Sequence, residues 1–204
     1  MRIVFLVSGN GSHLKFLDQA IRRGLVENHE IVGVVADRKC PAYDYASKSE
    51  ISSQIVEYSR ERPEALRAAL QSFAPDLVIT NIHKILDAQT VSLYNLKMIN
   101  LHYSLLPAFA GFIGEKTVRE ALKQNCKTIG TTVHYVNEEA DAGEIISQSA
   151  LDVIPDQPFA DLMDRVFRSA NFNLINALNI LDSGGVSIVA REGNFKSQIE
   201  NDFL

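Results

Sequence analysis

The chain has 204 residues, of which 46% are hydrophobic, enough to bury one sizeable core, so we expect a single domain over residues 1–204. Its net charge of −5, with acidic and basic residues interspersed, argues against a nucleic-acid surface built from clustered Lys and Arg. The two cysteines lack metal-ligand spacing, which fits a reducing, cytoplasmic compartment. Small-molecule partners are therefore favoured.

The first half of the chain alternates buried strands with amphipathic helices. The apolar run at residues 3–7 is too short to span a membrane and lacks a signal-peptide cleavage site, so it predicts a first strand. Glycines follow, and then apolar residues at helical spacing predict a helix that stops at Gly24. The same patterns predict strands at residues 31–36, 53–56, 76–80 and 98–101, and a helix at residues 66–73.

The second half continues this alternation with fewer elements. The patterns predict a helix at 116–122, a strand at 128–136, a neighbouring strand at 144–151, a long helix at 159–181 ended by Gly184-Gly185, and a polar tail at 191–204 that forms a short strand or a frayed end. Strands that are apolar on both faces and alternate with helices indicate a parallel sheet covered on both sides. We predict a Rossmann-like α/β fold: an open, mostly parallel sheet with helices on both faces.

A glycine-containing turn, Gly9-Asn10-Gly11-Ser12, lies directly between the first strand and the first helix. Backbone N–H groups at a helix start can face an anion, which predicts a phosphate site. A dinucleotide site is one alternative, but Leu14 occupies its third glycine position and Asp37 lies farther along than the usual ~20 residues. A tight turn with Ser12 as the helix N-cap is the purely structural alternative.

Asn100 and His102 lie two residues apart at the end of an apolar strand, so their side chains project from the same face. In an open α/β sheet this end of a strand opens onto the ligand crevice. A carboxamide can donate to a developing oxyanion, and an imidazole can donate or shuttle a proton. With a carboxylate to set the charge of the ring, the pair suits acyl transfer. His134, inside an alternating strand, is expected to have a structural or supporting role.

Three motifs in this order resemble the folate-dependent formyltransferases, above all the enzymes that formylate glycinamide ribonucleotide. They are N-x-H-x-S-L-L-P at residues 100–107, G-T-T-V-H-Y-V at 130–136, and Asp141-Ala142-Gly143. The likeness covers most of residues 1–150, including the glycine turn. It implies one formyltransferase catalytic domain, with a phosphate- and acceptor-binding half at 1–100 and a catalytic and folate-binding half at 101–190. It also implies 10-formyltetrahydrofolate as co-substrate and no metal.

The resemblance also implies roles for particular residues. Asp141 would by default belong to a solvated acidic turn, but the likeness makes it the catalytic carboxylate. The implied catalytic residues are Asn100, His102 and Asp141; those binding the acceptor and its phosphate are Asn10, Gly11, Ser12 and His13; those binding folate are His83, Lys84, Ile85, Leu86 and Ala140. The implied reaction is transfer of the formyl group to a primary amine of a small, phosphate-bearing acceptor.

The acceptor site departs from the pattern of these enzymes. Ala170 stands where they have a Glu that contacts the acceptor, and His13 and Tyr103 replace an Asn and a Pro. An amino sugar or a hydroxylated amino acid is therefore an alternative acceptor. Formyltetrahydrofolate hydrolysis is an alternative reaction, and a degenerate folate- or nucleotide-binding module is the non-enzymatic alternative. We expect a monomer or homodimer whose partners are a reduced folate and a small amine, not nucleic acid or membrane.

Overall fold

The computed structural model describes residues 1–183, so the predicted helix stop at Gly184-Gly185 and the tail at 191–204 lie outside the described residues. The predicted strands and helices of this part of the chain are all present, and two short helices occur in addition. In chain order they are β1 (Arg2–Val7), α1 (Ser12–Arg22), β2 (Glu30–Ala36), α2 (Pro41–Lys48), β3 (Ser53–Ile55), α3 (Glu64–Phe73), β4 (Leu77–Asn81), α4 (Ala88–Leu93), β5 (Met98–His102), α5 (Glu115–Lys123), β6 (Thr128–Tyr135), β7 (Ile145–Asp152) and α6 (Phe159–Asp182).

The seven strands form one open sheet in the order β3-β2-β1-β4-β5-β6-β7. Strand β1 pairs in parallel with both β2 and β4, and the pairs β2–β3 and β4–β5 are parallel as well. The predicted Rossmann-like, mostly parallel α/β sheet is therefore confirmed. Short helices α2 and α4 were not predicted, because eight and six residues are too few to display a clear helical period.

The described chain divides into two compact units, the first of which comprises Met1–Leu101 and His134–Glu144. Its core contains a cluster in which helix α3 contributes the 3-4 spacing seen in the sequence. Leu66, Leu70 and Phe73 from α3 are buried with Val4 and Leu6 from β1. Burial of one helix face against continuous apolar strands is what the sequence pattern predicts for this half.

The second unit comprises His102–Val133 and the described residues from Ile145 onward. Here the first turns of α6 place Leu162 and Val166 in a buried cluster with Val118 of α5, Ile129 of β6 and Leu151 of β7. This confirms the predicted amphipathic face of the long helix. Among residues 1–183, no helix is both long enough and apolar enough to span a membrane.

Candidate functional site

The sheet order reverses between β1 and β4, the two parallel strands at the centre of the first unit. Open α/β sheets bind ligands at such a switch point, outside the carboxyl ends of the strands. The two loops that leave these strand ends touch, because the His83 N–H donates to Ser8 Oγ at 3.0 Å. The glycine turn and the segment predicted to bind folate therefore lie next to each other at this edge of the sheet.

Gly11 lets the chain turn from β1 into α1. Its φ is 65°, and a Cβ added there would lie 2.5 Å from the Cβ of Ala42, so only glycine fits without movement. Helix α1 begins at Ser12 with Gly11 in the N-cap position and no side-chain cap, so the alternative of a Ser12 N-cap is wrong. The start of a helix is the end that attracts an anion, so this turn is placed where a phosphate could bind. His13 is buried in this turn.

Gly11→Ala is expected to lower the free energy of unfolding more than Gly24→Ala does. Both glycines have left-handed backbone, with φ 65° and 69°, which costs a non-glycine residue about 1–2 kcal/mol. Only at Gly11 would the new methyl group also collide with a neighbour, since nothing lies within 4 Å at Gly24. Urea unfolding of both variants measures the difference, and equal losses would contradict a tight Gly11–Ala42 approach.

The segment after β4 is held by a tyrosine from the loop between β3 and α3. Tyr58 Oη donates to the Ile85 carbonyl at 3.2 Å and accepts from the Asp87 N–H at 2.8 Å, while Lys84 Nζ donates to the Tyr58 carbonyl at 2.7 Å. Ile85 is 57% exposed, whereas Leu86 is buried in the core cluster with Tyr58. The segment thus presents Ile85 outward, and Leu86 anchors it.

Asp37, at the end of β2, is bound by protein groups on every side. Its side chain is 0% exposed and pairs with Arg38 at 2.8 Å and with Lys84 at 3.3 Å. Burial alone would raise the pKa of Asp37, but hydrogen bonds from Arg38, Ser8 and Lys84 outweigh burial and hold the pKa below its ordinary value. An acid so engaged is not available to a ribose hydroxyl, which argues against the dinucleotide alternative.

Asp37→Asn is expected to destabilise the protein at neutral pH and progressively less below about pH 4. Because the folded-state pKa lies below the unfolded-state value, the contribution of the carboxylate is complete above the unfolded-state pKa. It is lost as the pH falls through the folded-state pKa. Urea unfolding between pH 7 and 3 checks this, with the exposed Asp44→Asn as the matched charge removal. A difference that stays constant over this pH range would disprove the prediction.

Asn100, His134 and Asp141 form a polar cluster in the first unit. Asn100 is the third of the five residues of β5 and lies opposite Thr80 of β4. The Asn100 Nδ2 is 3.3 Å from His134 Nε2. His134 Nε2 is in turn 3.6 Å from Asp141 Oδ1. The structure therefore brings together the carboxamide and the carboxylate that the sequence singled out, with His134 between them.

The connection between β6 and β7 places Asp141. A Cβ at Gly143 would collide with the Tyr135 carbonyl, so glycine is required for the loop to close tightly on β6. Asp141 itself has left-handed backbone with φ 55°, a conformation that Asp and Asn adopt more readily than most residues. The neighbouring Ala140 is exposed. Loop closure thus turns the Asp141 carboxylate back toward His134.

His102, in the second unit, follows Asn100 on the same strand with one residue between them. The ring is buried, and its Nε2–H donates to the Phe109 carbonyl at 3.1 Å. Phe109 reaches this position with left-handed backbone, φ 59°. The adjacent Tyr103 is not a usable acid at neutral pH, because burial and the charge of Glu115 raise its pKa to about 12.

His134, for which a structural or supporting role was expected, lies next to Asn100 and Asp141. A histidine inside a mostly buried strand needs a polar partner, but the sequence does not identify it, because β5 and β6 become neighbours only in the folded sheet. In α6, Ala170 stands where the resemblance implies a Glu that contacts the acceptor. Ala170 is 0% exposed, Asn171 is buried, and Ser169 donates its hydroxyl to Ser149 Oγ at 2.8 Å. Within residues 1–183, no cluster of His, Cys, Asp and Glu is arranged to hold a metal ion.

Residues 1–178 match the family model described as formyl transferase. The phosphoribosylglycinamide formyltransferase of Mycobacterium tuberculosis is 32% identical over 197 residues, which cover 93% of this chain and 89% of that protein. The trifunctional purine biosynthetic protein adenosine-3 of Bos taurus is 30% identical over 92% of this chain, which spans only 19% of that protein's length. The structure of the phosphoribosylglycinamide formyltransferase of Coxiella burnetii in complex with CHES is 30% identical, with a TM-score of 0.82 over 90% of this chain and 88% of that one.

Proposed function

Because the chain belongs to the formyl transferase family, we propose that it transfers the formyl group of 10-formyltetrahydrofolate to the primary amine of a small, phosphate-bearing acceptor such as glycinamide ribonucleotide. The observation that carries the proposal is the cluster of Asn100, His134 and Asp141. The names of two relatives that this chain covers almost end to end favour glycinamide ribonucleotide as the acceptor.

The reaction begins when the acceptor amine attacks the formyl carbon. A new C–N bond forms, and negative charge develops on the formyl oxygen of the tetrahedral centre. Asn100 and His102 donate hydrogen bonds to this oxygen, where preorganised donors have their largest effect. The His102 Nε2–H already donates to the Phe109 carbonyl, and the formyl oxygen replaces that carbonyl as acceptor.

Asp141 is the base for the attacking amine. Its carboxylate accepts the proton that the amine loses, through a water molecule, and the folate N10 takes up a proton as its bond to the formyl carbon breaks. The products are the formamide of the acceptor and tetrahydrofolate. Asp141 also lies 3.6 Å from the His134 ring, so the carboxylate has a polar neighbour inside the protein as well.

The two substrates meet at the switch point between β1 and β4. The phosphate of the acceptor binds the N-terminal turn of α1, with Asn10, Gly11, Ser12 and His13 around it. The pterin of the folate lies along residues 83–86 and Ala140, where Ile85 supplies exposed apolar surface and Tyr58 holds the backbone.

The free thiols Cys40 and Cys126 support a cytoplasmic setting.

Incubation of the purified protein with 10-formyltetrahydrofolate and a panel of amines tests the proposal. The panel contains glycinamide ribonucleotide, an amino sugar phosphate and a hydroxylated amino acid, since Ala170 stands where the related enzymes have a Glu that contacts the acceptor. Amine-dependent release of tetrahydrofolate supports a transferase. Release without amine would instead indicate a hydrolase, and folate binding without either would indicate a non-catalytic module.

A further inference from the structure

The polarity of the hydrogen bonds around His134 is determined by one backbone carbonyl. His134 Nδ1 lies 2.9 Å from the Tyr135 carbonyl oxygen, which can only accept. The ring proton of the neutral imidazole therefore sits on Nδ1, and Nε2 carries a lone pair. The group 3.3 Å from that lone pair is the Asn100 Nδ2, which donates one of its two N–H bonds.

From this geometry we propose that His134 is a positioning residue that sets the orientation of the Asn100 carboxamide. One N–H of Asn100 is held by His134, so the second N–H is the one presented for an oxyanion, as the proposed function requires. A carboxamide that is free to rotate can present its carbonyl oxygen instead, and that oxygen would repel the developing charge. The ring thus selects the productive one of two amide orientations that have almost the same shape.

Asp141 offers the His134 ring a competing arrangement. A doubly protonated ring would donate its Nε2–H to Asp141 Oδ1, which lies 3.6 Å away, and it could no longer accept from Asn100. The bond from Nδ1 to the Tyr135 carbonyl is compatible with either form, but the shorter 3.3 Å distance from Nε2 to the Asn100 amide nitrogen, which is a donor, fits the neutral ring. We therefore assign the neutral form, with its proton on Nδ1, to the active arrangement.

The His134 side chain is only 3% exposed, so the ring also packs against its neighbours. A test must therefore separate a packing role from a positioning role. His134→Phe keeps a planar ring of similar size but removes the acceptor. His134→Gln loses the ring but places an amide oxygen near the position of Nε2. If His134 only packs, the Phe variant should keep the higher kcat. If His134 positions Asn100, the Gln variant should keep the higher kcat.

The kinetic test compares kcat for formyl transfer in these two variants. We expect His134→Phe to lose about 10²-fold in kcat, the lower end of the loss of one oxyanion donor, with KM for the folate within about threefold of the native value. His134→Gln is expected to stay within about tenfold of native kcat. A Phe variant as active as the native protein, or a Gln variant as impaired as the Phe variant, would overturn the proposal.

A double substitution tests whether His134 acts through Asn100. In an Asn100→Ala background, His134→Phe should cause almost no further loss of kcat, because the amide it positions is already gone. Losses that multiply would show that the two side chains act independently and would overturn the positioning role. Thermal unfolding of each variant identifies any loss of folded protein.

One measurement does not depend on the proposed function. In protein labelled with ¹⁵N-histidine, the ring signals of His134 report which nitrogen is protonated at neutral pH, and His134→Gln identifies those signals by their absence. A protonated Nδ1 with an unprotonated Nε2 is expected. The reverse tautomer or a doubly protonated ring would refute the inference even in an active enzyme, and an inactive protein with the expected tautomer would refute only the formyl-transfer proposal.

Discussion

Replacing His102 with alanine is expected to lower kcat for formyl transfer by about 10²- to 10³-fold, the range for removing one oxyanion donor. The ring supplies a proton donor next to Asn100 on β5, and alanine leaves the formyl oxygen with fewer donors as charge develops. KM for both substrates should change much less, because the interaction forms mainly in the transition state. Steady-state kinetics with the acceptor identified by the amine panel measures both constants.

His29→Gln serves as the control for loss of a buried histidine. His29 precedes β2, at the amino end of a strand, whereas His102 lies at the carboxyl end of β5. The His102 variant also loses the hydrogen bond to the Phe109 carbonyl, worth about 1 kcal/mol, so urea unfolding should still find a folded protein. A folded His102→Ala protein with near-native kcat would remove His102 from the mechanism.

Asp141→Asn is expected to lower kcat by at least about 10²-fold without a change of fold. The substitution removes the negative charge and the proton-accepting capacity while it keeps the size of the side chain. Asn tolerates left-handed backbone as Asp does, so the φ of 55° at this position adds no new strain. The loss of rate therefore reports the charge itself, and thermal unfolding should place the variant close to the native protein.

The loop offers a control of the same chemistry. Glu139 is exposed and lies two residues before Asp141 in the sequence, and Glu139→Gln removes its negative charge. This substitution should leave kcat within about twofold of the native value, as expected for a screened surface charge. If the Glu139 and Asp141 variants lose the same amount of rate, the acidic turn acts only through its overall charge. Asp141 would then have no specific part in proton transfer.

Most secondary structure was predictable because it depends on local patterns. Strand β1 was expected at residues 3–7 and spans Arg2–Val7, and helix α6 was expected at 159–181 and spans Phe159–Asp182. Such elements carry long apolar runs or a repeated 3-4 spacing. Helix α4 has only six residues and depends on the Asp87 cap that accepts from the Thr90 N–H, a signal too small to stand out in the sequence.

The candidate site was only partly predictable. Asn100, His102 and Asp141 could be singled out by residue type, strand position and resemblance. That His134 stands between Asn100 and Asp141 could not, because this contact depends on the pairing of β5 with β6 and on the closure of the loop at Gly143. The position of Asp37 along the sequence already argued against a ribose ligand, but its partners Arg38 and Lys84 could be identified only from the folded structure.

Local patterns along the chain are enough to specify most of the segments that form strands and helices, and the glycine turn that joins the first strand to the first helix. Those properties depend on neighbouring residues in sequence. The direction in which a carboxamide points, and whether an acid is free or occupied, depend on groups that lie tens of residues apart, such as Asn100 and His134. Only folding brings such groups within hydrogen-bonding distance, where the exclusion of water makes their orientation matter.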